Sequence, residues 1–135
     1  MRNERLAGDY LRRAGSRVLA IEVLLREQSW ADVVRESQEV VELALRALLR
    51  SMSVDAPQIH DMSPILLEHR DRLPAAAGAA VEELAAASRS LRRDRELAFY
   101  GSEDLTPSEF YQRDDAERAL AMARRVLEVA QEAIG

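Results

Sequence analysis

The stretch Trp30 to Met52, WADVVRESQEVVELALRALLRSM, decides the fold. Val33, Val34, Ser37, Val40, Val41, Ala44, Leu45 and Leu48 recur at helical spacing, and a stripe that wide belongs to the central helix of a bundle. Ser37 is the one polar residue in it, and such a serine is expected to bond its own i−4 carbonyl. Glu42 and Arg46 stand four apart in the order that favours a helical ion pair, a pairing of little value on an exposed face.

Upstream, Leu6, Tyr10, Ala14, Val18, Ile21 and Leu25 mark a second stripe, predicting a helix from about Asn3 to Glu27. Ser29 reads as the N-cap of the central helix. The joint is only Gln28-Ser29, so the two helices should form an antiparallel hairpin. Downstream, Pro57 breaks any helix, and Ser63-Pro64 reads as an N-cap with Pro at N1. The short helix that follows, Pro64 to Arg70, should stop before Leu73-Pro74.

A long helix is predicted from near Pro74 through PAAAGAAVEELAAASRSLRRDRELAF. Its alanine-rich first half suits close approach of another helix backbone, including one across a subunit interface. The loop Gly101 to Gln112 carries Phe110 and Tyr111, more than a linker needs. Asp114 or Asp115 can begin the last helix, whose stripe is Ala116, Leu120, Ala123, Leu127, Ala130 and Ile134. The expected architecture is all-α: one domain over residues 1–135, an antiparallel bundle of four long helices plus one short inserted helix.

Composition agrees. The chain has 135 residues, 47% hydrophobic and 32% charged, with five glycines, four prolines and 4% aromatics. That mix favours helix over sheet. The absence of cysteine excludes disulfides, thiol catalysis and Cys-based zinc sites. No apolar run approaches the ~18–20 residues needed to span a bilayer, and MRNERLAGDYLRR lacks the apolar core of a signal peptide. A cytoplasmic protein without membrane association is expected. The net charge of −5 opposes nucleic-acid binding driven by whole-molecule charge, so any such binding must be local.

The local candidate is Ser88 to Gly101, SRSLRRDRELAFYG. Arg89, Arg92, Arg93 and Arg95 crowd into seven residues, and Phe99 and Tyr100 end the run. Arg89, Arg93, Glu96 and Tyr100 share one helical face. Guanidinium groups beside a phenol suit an anion or phosphate; the competing reading is a solvated basic helix end, where cations suit the dipole. His60 beside Asp61 is a base, a metal ligand or a structural hydrogen-bond partner. The only other histidine is His69, and no HxxxH or HExxH spacing occurs. A metal site and a resident cofactor are therefore not expected, and a loop-anchoring His60 is favoured.

Taken in order, DYLRRAGSRVLAIEVLLREQSWADVV, SQEVVELALRALL with Glu42 and Arg46, IHD before a short helix, RRDRELAFYG, a proline-bearing loop and YQRDDAERALAMARRVLE resemble the HEPN domain family over nearly the whole chain. The resemblance implies a helical bundle working as a dimer. Many HEPN proteins are metal-independent endoribonucleases with an Arg-x4-6-His motif. One branch, with Arg-x4-His-x-Tyr, is paired with a minimal nucleotidyltransferase that can attach AMP to the tyrosine. Here Arg93 starts that spacing and Tyr100 ends it, but the histidine position is Ala98.

Metal-free RNA cleavage needs a group near neutral pKa to move protons. Arginine cannot serve, and tyrosine, near ~10, serves poorly, although arginine can stabilise a pentavalent phosphate. His60 is the remaining proton shuttle. The resemblance thus implies a homodimeric interaction protein whose Arg89, Arg92, Arg93, Arg95 and Tyr100 bind a nucleotide, RNA or a nucleotidyltransferase partner, without ribonuclease activity of its own. The alternative is an endoribonuclease toxin using a degenerate Arg-x4-Ala-x-Tyr motif, with Arg93, Tyr100 and His60 as the catalytic candidates.

Overall fold

A computed structural model describes residues 2–55, 61–100 and 106–135, except the side chains of Arg2 and of residues 91–100. Helix α1 spans Arg2–Arg26 and α2 spans Trp30–Ser51. Helix α3 is Ser63–Glu68, followed by a 3-10 turn at Arg70–Arg72. Then come α4 (Ala75–Ala79), α5 (Val81–Tyr100), α6 (Pro107–Phe110) and α7 (Arg113–Ile134). Four long helices form the bundle, and the described residues contain no strand.

Helix α2 is the hub. It packs against α1, α5 and α7, and α1 also meets α7. Val33, Val40, Val41, Ala44, Leu45, Leu48 and Leu49 are fully buried. They close on Ala14 and Ile21 of α1, on Leu84 of α5 and on Leu120, Ala123 and Val126 of α7. Burying a leucine or isoleucine side chain contributes roughly 1.5–3 kcal/mol, so this seam supplies most of the drive to fold.

The α1–α2 turn is as short as the sequence predicts. Gln28 takes a left-handed conformation, φ 59°, and Ser29 N–H bonds back to the Leu24 carbonyl, closing α1. Ser29 is the N-cap residue, but its hydroxyl donates to the Asp32 carboxylate at 2.7 Å rather than capping the backbone.

Other details correct the sequence reading. The long helix expected from Pro74 is two, because Ala80 leaves the helical region (φ −107°, ψ 10°) between α4 and α5. Met62, not Ser63, is the N-cap residue of α3. Ser37 forms no hydrogen bond to its i−4 carbonyl; its Oγ is buried with no partner among the described residues. The alanines read as available for a subunit contact are largely used within the chain: Ala77, Ala80, Ala85 and Ala87 are buried. Past residue 105 the expected loop contains α6, capped by the Thr106 hydroxyl, which accepts from Glu109 N–H. Tyr111 is buried against the core with its ring edge-on to Phe110. The last helix starts at Arg113, where Gln112 and Asp115 form a capping box. The Arg113 guanidinium lies 4.9 Å from the Trp30 ring centroid, tying the start of α7 to the start of α2.

Candidate functional site

Arg89, Arg92, Arg93, Arg95 and Tyr100 all belong to α5, and Tyr100 is its last residue. The helix is unbroken between Arg93 and Tyr100, so these positions stand two turns apart, roughly 10 Å along the axis. Arg89 and Arg93 are one turn apart in the same row. Arg89 is exposed and makes no ion pair among the described residues. The side chains of Arg92, Arg93, Arg95 and Tyr100 lie outside the described residues, as does His60.

One turn before Arg92, α5 is joined to the segment that precedes α3. Ser88 is fully buried, and its Oγ accepts the Met62 N–H at 2.7 Å. The Asp61 carboxylate accepts the Ser63 N–H at 2.9 Å and sits 3.4 Å from the same Ser88 Oγ. Asp61 thus satisfies a donor in the first turn of α3 and stands against α5. The chain neighbour of His60 is therefore placed beside the residue that precedes Arg89. Sequence reasoning did not connect these segments, which lie 27 residues apart. The available signal was Asp-x-Ser at the start of a helix, a local capping pattern.

On α2, Gln38 and Glu42 are buried, and Gln38 Nε2 donates to Glu42 Oε1 at 3.0 Å. Glu42 is thus not the exposed half of a surface pair. A buried carboxylate is retained only where hydrogen bonds and charge compensate its desolvation. Gln38 was missed, although its i, i+4 relation to Glu42 on the most apolar helix is legible. Arg46, half-buried, lines a small cleft of about 20 Å³ with Tyr10, Arg50 and Val54, room for roughly one water. Arg50, at its edge, is paired with Asp55. On α7, hydrogen bonding to Glu83 of α5 and the Glu83 charge raise the pKa of Arg125. That leaves Arg125 cationic and chemically inert.

Among the described residues no group of three or more His, Asp or Glu is arranged to hold a metal ion. No described helix is long and apolar enough to cross a membrane. Among the described residues the site therefore consists of exposed Arg89 on α5, next in sequence to the buried junction of Ser88 with Asp61 and Met62.

A bundle of four long helices around a central α2, with an arginine-to-tyrosine run ending the penultimate long helix, defines a class of small all-α domains. A family model described as HEPN domain matches residues 7–133. The chain belongs to the HEPN domain family. No curated protein and no solved structure matches it.

Proposed function

We propose that this HEPN domain is a homodimeric binding protein, the partner of a minimal nucleotidyltransferase in a toxin–antitoxin-type or nucleotide- and RNA-binding system, and that it does not cleave RNA itself. The observation that carries the reading is Ala98, set within the unbroken α5 between Arg93 and Tyr100. Phosphate-binding residue types are kept there, while the position where the family places its proton-transferring histidine holds a methyl group. Arginines without a general acid or base bind phosphate and stabilise charge, but do not move the 2′-hydroxyl proton.

The test is single-stranded RNA incubated with purified protein in the presence of a chelator. The expected result is intact RNA and salt-sensitive binding. Arg93→Ala should weaken that binding and flatten its salt dependence. Ala98→His should confer cleavage. Metal-independent cleavage by the unaltered protein, abolished by Arg93→Ala, would overturn the proposal.

A second reading, an endoribonuclease that recruits its histidine from elsewhere, is favoured by one observation. Asp61, adjacent to His60 in the chain, stands against Ser88 of α5. Under that reading His60→Gln removes cleavage and leaves RNA binding in place.

A further inference from the structure

The hairpin of α1 and α2 builds a second basic feature, remote in sequence from the α5 arginines. Tyr10 and Arg46 are equally far from the Gln28 turn, so antiparallel pairing places both on the wall of one cleft. Arg50 follows one turn later on the same row of α2. Past α2 the chain doubles back. Ser53 takes a left-handed conformation, φ 61°, and Val54 N–H returns to the Leu49 carbonyl at 2.9 Å. That fold-back lays Val54 against the last turn of α2 and brings Asp55 to Arg50. The turn is braced from outside. Asn3 Nδ2 donates to Ser53 Oγ at 2.9 Å, and Arg72 donates to the Met52 carbonyl at 3.0 Å.

Tyr10, Arg46, Arg50 and Val54 line the resulting cleft of about 20 Å³. Three of them carry hydrogen-bond donors, one phenol and two guanidinium groups, and Val54 is the aliphatic wall. All four are half-buried, so their charges are screened less than those on open surface. The volume suits one water or one oxygen atom of a larger anion. The carboxylate on Arg50 lies mostly in solvent: the Asp55 side chain is 80% exposed, that of Arg50 only 30%. Such a pair costs little to exchange. A cation near a helix C-terminus also suits the dipole, but that effect calls for neither a phenol nor a cleft.

We infer that this cleft is an anion site that takes one oxygen of a phosphate group, with Asp55 as the internal competitor for Arg50. Arg46 and Arg50 donate charge-assisted hydrogen bonds to the phosphate, and the Tyr10 hydroxyl donates a neutral one. Asp55 yields Arg50 when the phosphate arrives and recovers it when the phosphate leaves. Inorganic phosphate, a nucleotide and an RNA backbone all present the group required. The cleft shares no residue with the α5 segment, so either reading can fail alone.

The test titrates inorganic phosphate, at fixed ionic strength, into protein carrying Arg89→Ala and Arg93→Ala, which removes two of the α5 arginines. Isothermal calorimetry reads the dissociation constant. Asp55→Asn in that background should tighten binding by up to about five-fold, a gain that misfolding cannot imitate. Arg50→Gln should weaken it at least about ten-fold, and Tyr10→Phe by a smaller factor, with circular dichroism unchanged in each. AMP and a short single-stranded RNA, titrated in parallel, identify the carrier as the ligand that Arg50→Gln weakens most. Absence of phosphate binding in the Asp55→Asn protein overturns the inference, as does binding that Arg50→Gln leaves intact. Neither result touches RNA binding through α5, which is measured in protein that keeps those arginines.

Discussion

Ser37 and Ser88 are both fully buried serines inside long helices, yet truncating them should have opposite consequences. Each Ser→Ala change gains roughly 0.5 kcal/mol of helix propensity. At Ser37 nothing opposes that gain, since its hydroxyl has no partner among the described residues. Removal also relieves the cost of burying an unsatisfied polar group. Ser37→Ala should be neutral or stabilising by up to ~1 kcal/mol. At Ser88 the hydroxyl accepts the Met62 N–H at 2.7 Å, and Met62 is itself fully buried. Alanine there strands a buried donor, a penalty of ~1–3 kcal/mol. The 3.4 Å approach to Asp61 is too long to add much.

The propensity term cancels between the two variants. Their difference, about 2 kcal/mol, therefore reads the hydrogen-bonding contrast directly. For a chain of this length that is roughly 7 °C in Tm, taking the usual unfolding entropy per residue. Urea titration of both proteins, with midpoints compared at equal slope, provides the measurement. If Ser88→Ala proved as stable as Ser37→Ala, the assignment of Ser88 as the anchor of the α3 segment would fail.

Gly15 sits within α1, and a β-carbon added there would meet nothing within 4 Å, so Gly15→Ala should stabilise by ~0.5–1 kcal/mol in the same titration. Under the proposed function, Tyr100→Phe should retain phosphate-dependent binding and lose any capacity to receive AMP. Intact-mass spectrometry after incubation with a nucleotidyltransferase and ATP reads this, and persistent AMP addition would move the acceptor elsewhere.

The four long helices were legible because their stripes are long and periodic. The wide stripe on α2 correctly marked the helix that others surround, and a two-residue joint left α1 and α2 no option except to fold back. Short-range punctuation was harder. Ala80 itself is no different from the alanines around it, and the one local sign of the break is Gly78, a weak helix former two residues earlier. Thr106 with Glu109 and Gln112 with Asp115 are capping patterns that could have been read from spacing alone. The site divided similarly. Arg93, Ala98 and Tyr100 stand out as a series in the sequence, whereas the junction between Asp61, Met62 and Ser88 depends on residues brought together from distant parts of the chain.

The turn at Gln28 bears on the order in which the bundle assembles. Helices α1 and α2 meet across only a few intervening residues, so closing that hairpin costs little chain entropy. Joining α7 to α2 must instead organise a chain segment more than 60 residues long. Local pairings of this kind form fast, and distant ones wait for a surface on which to dock. The hairpin is thus the expected nucleus, with α7 arriving late. Truncations in Ile21 should then slow folding, whereas truncations in Val126 should chiefly speed unfolding.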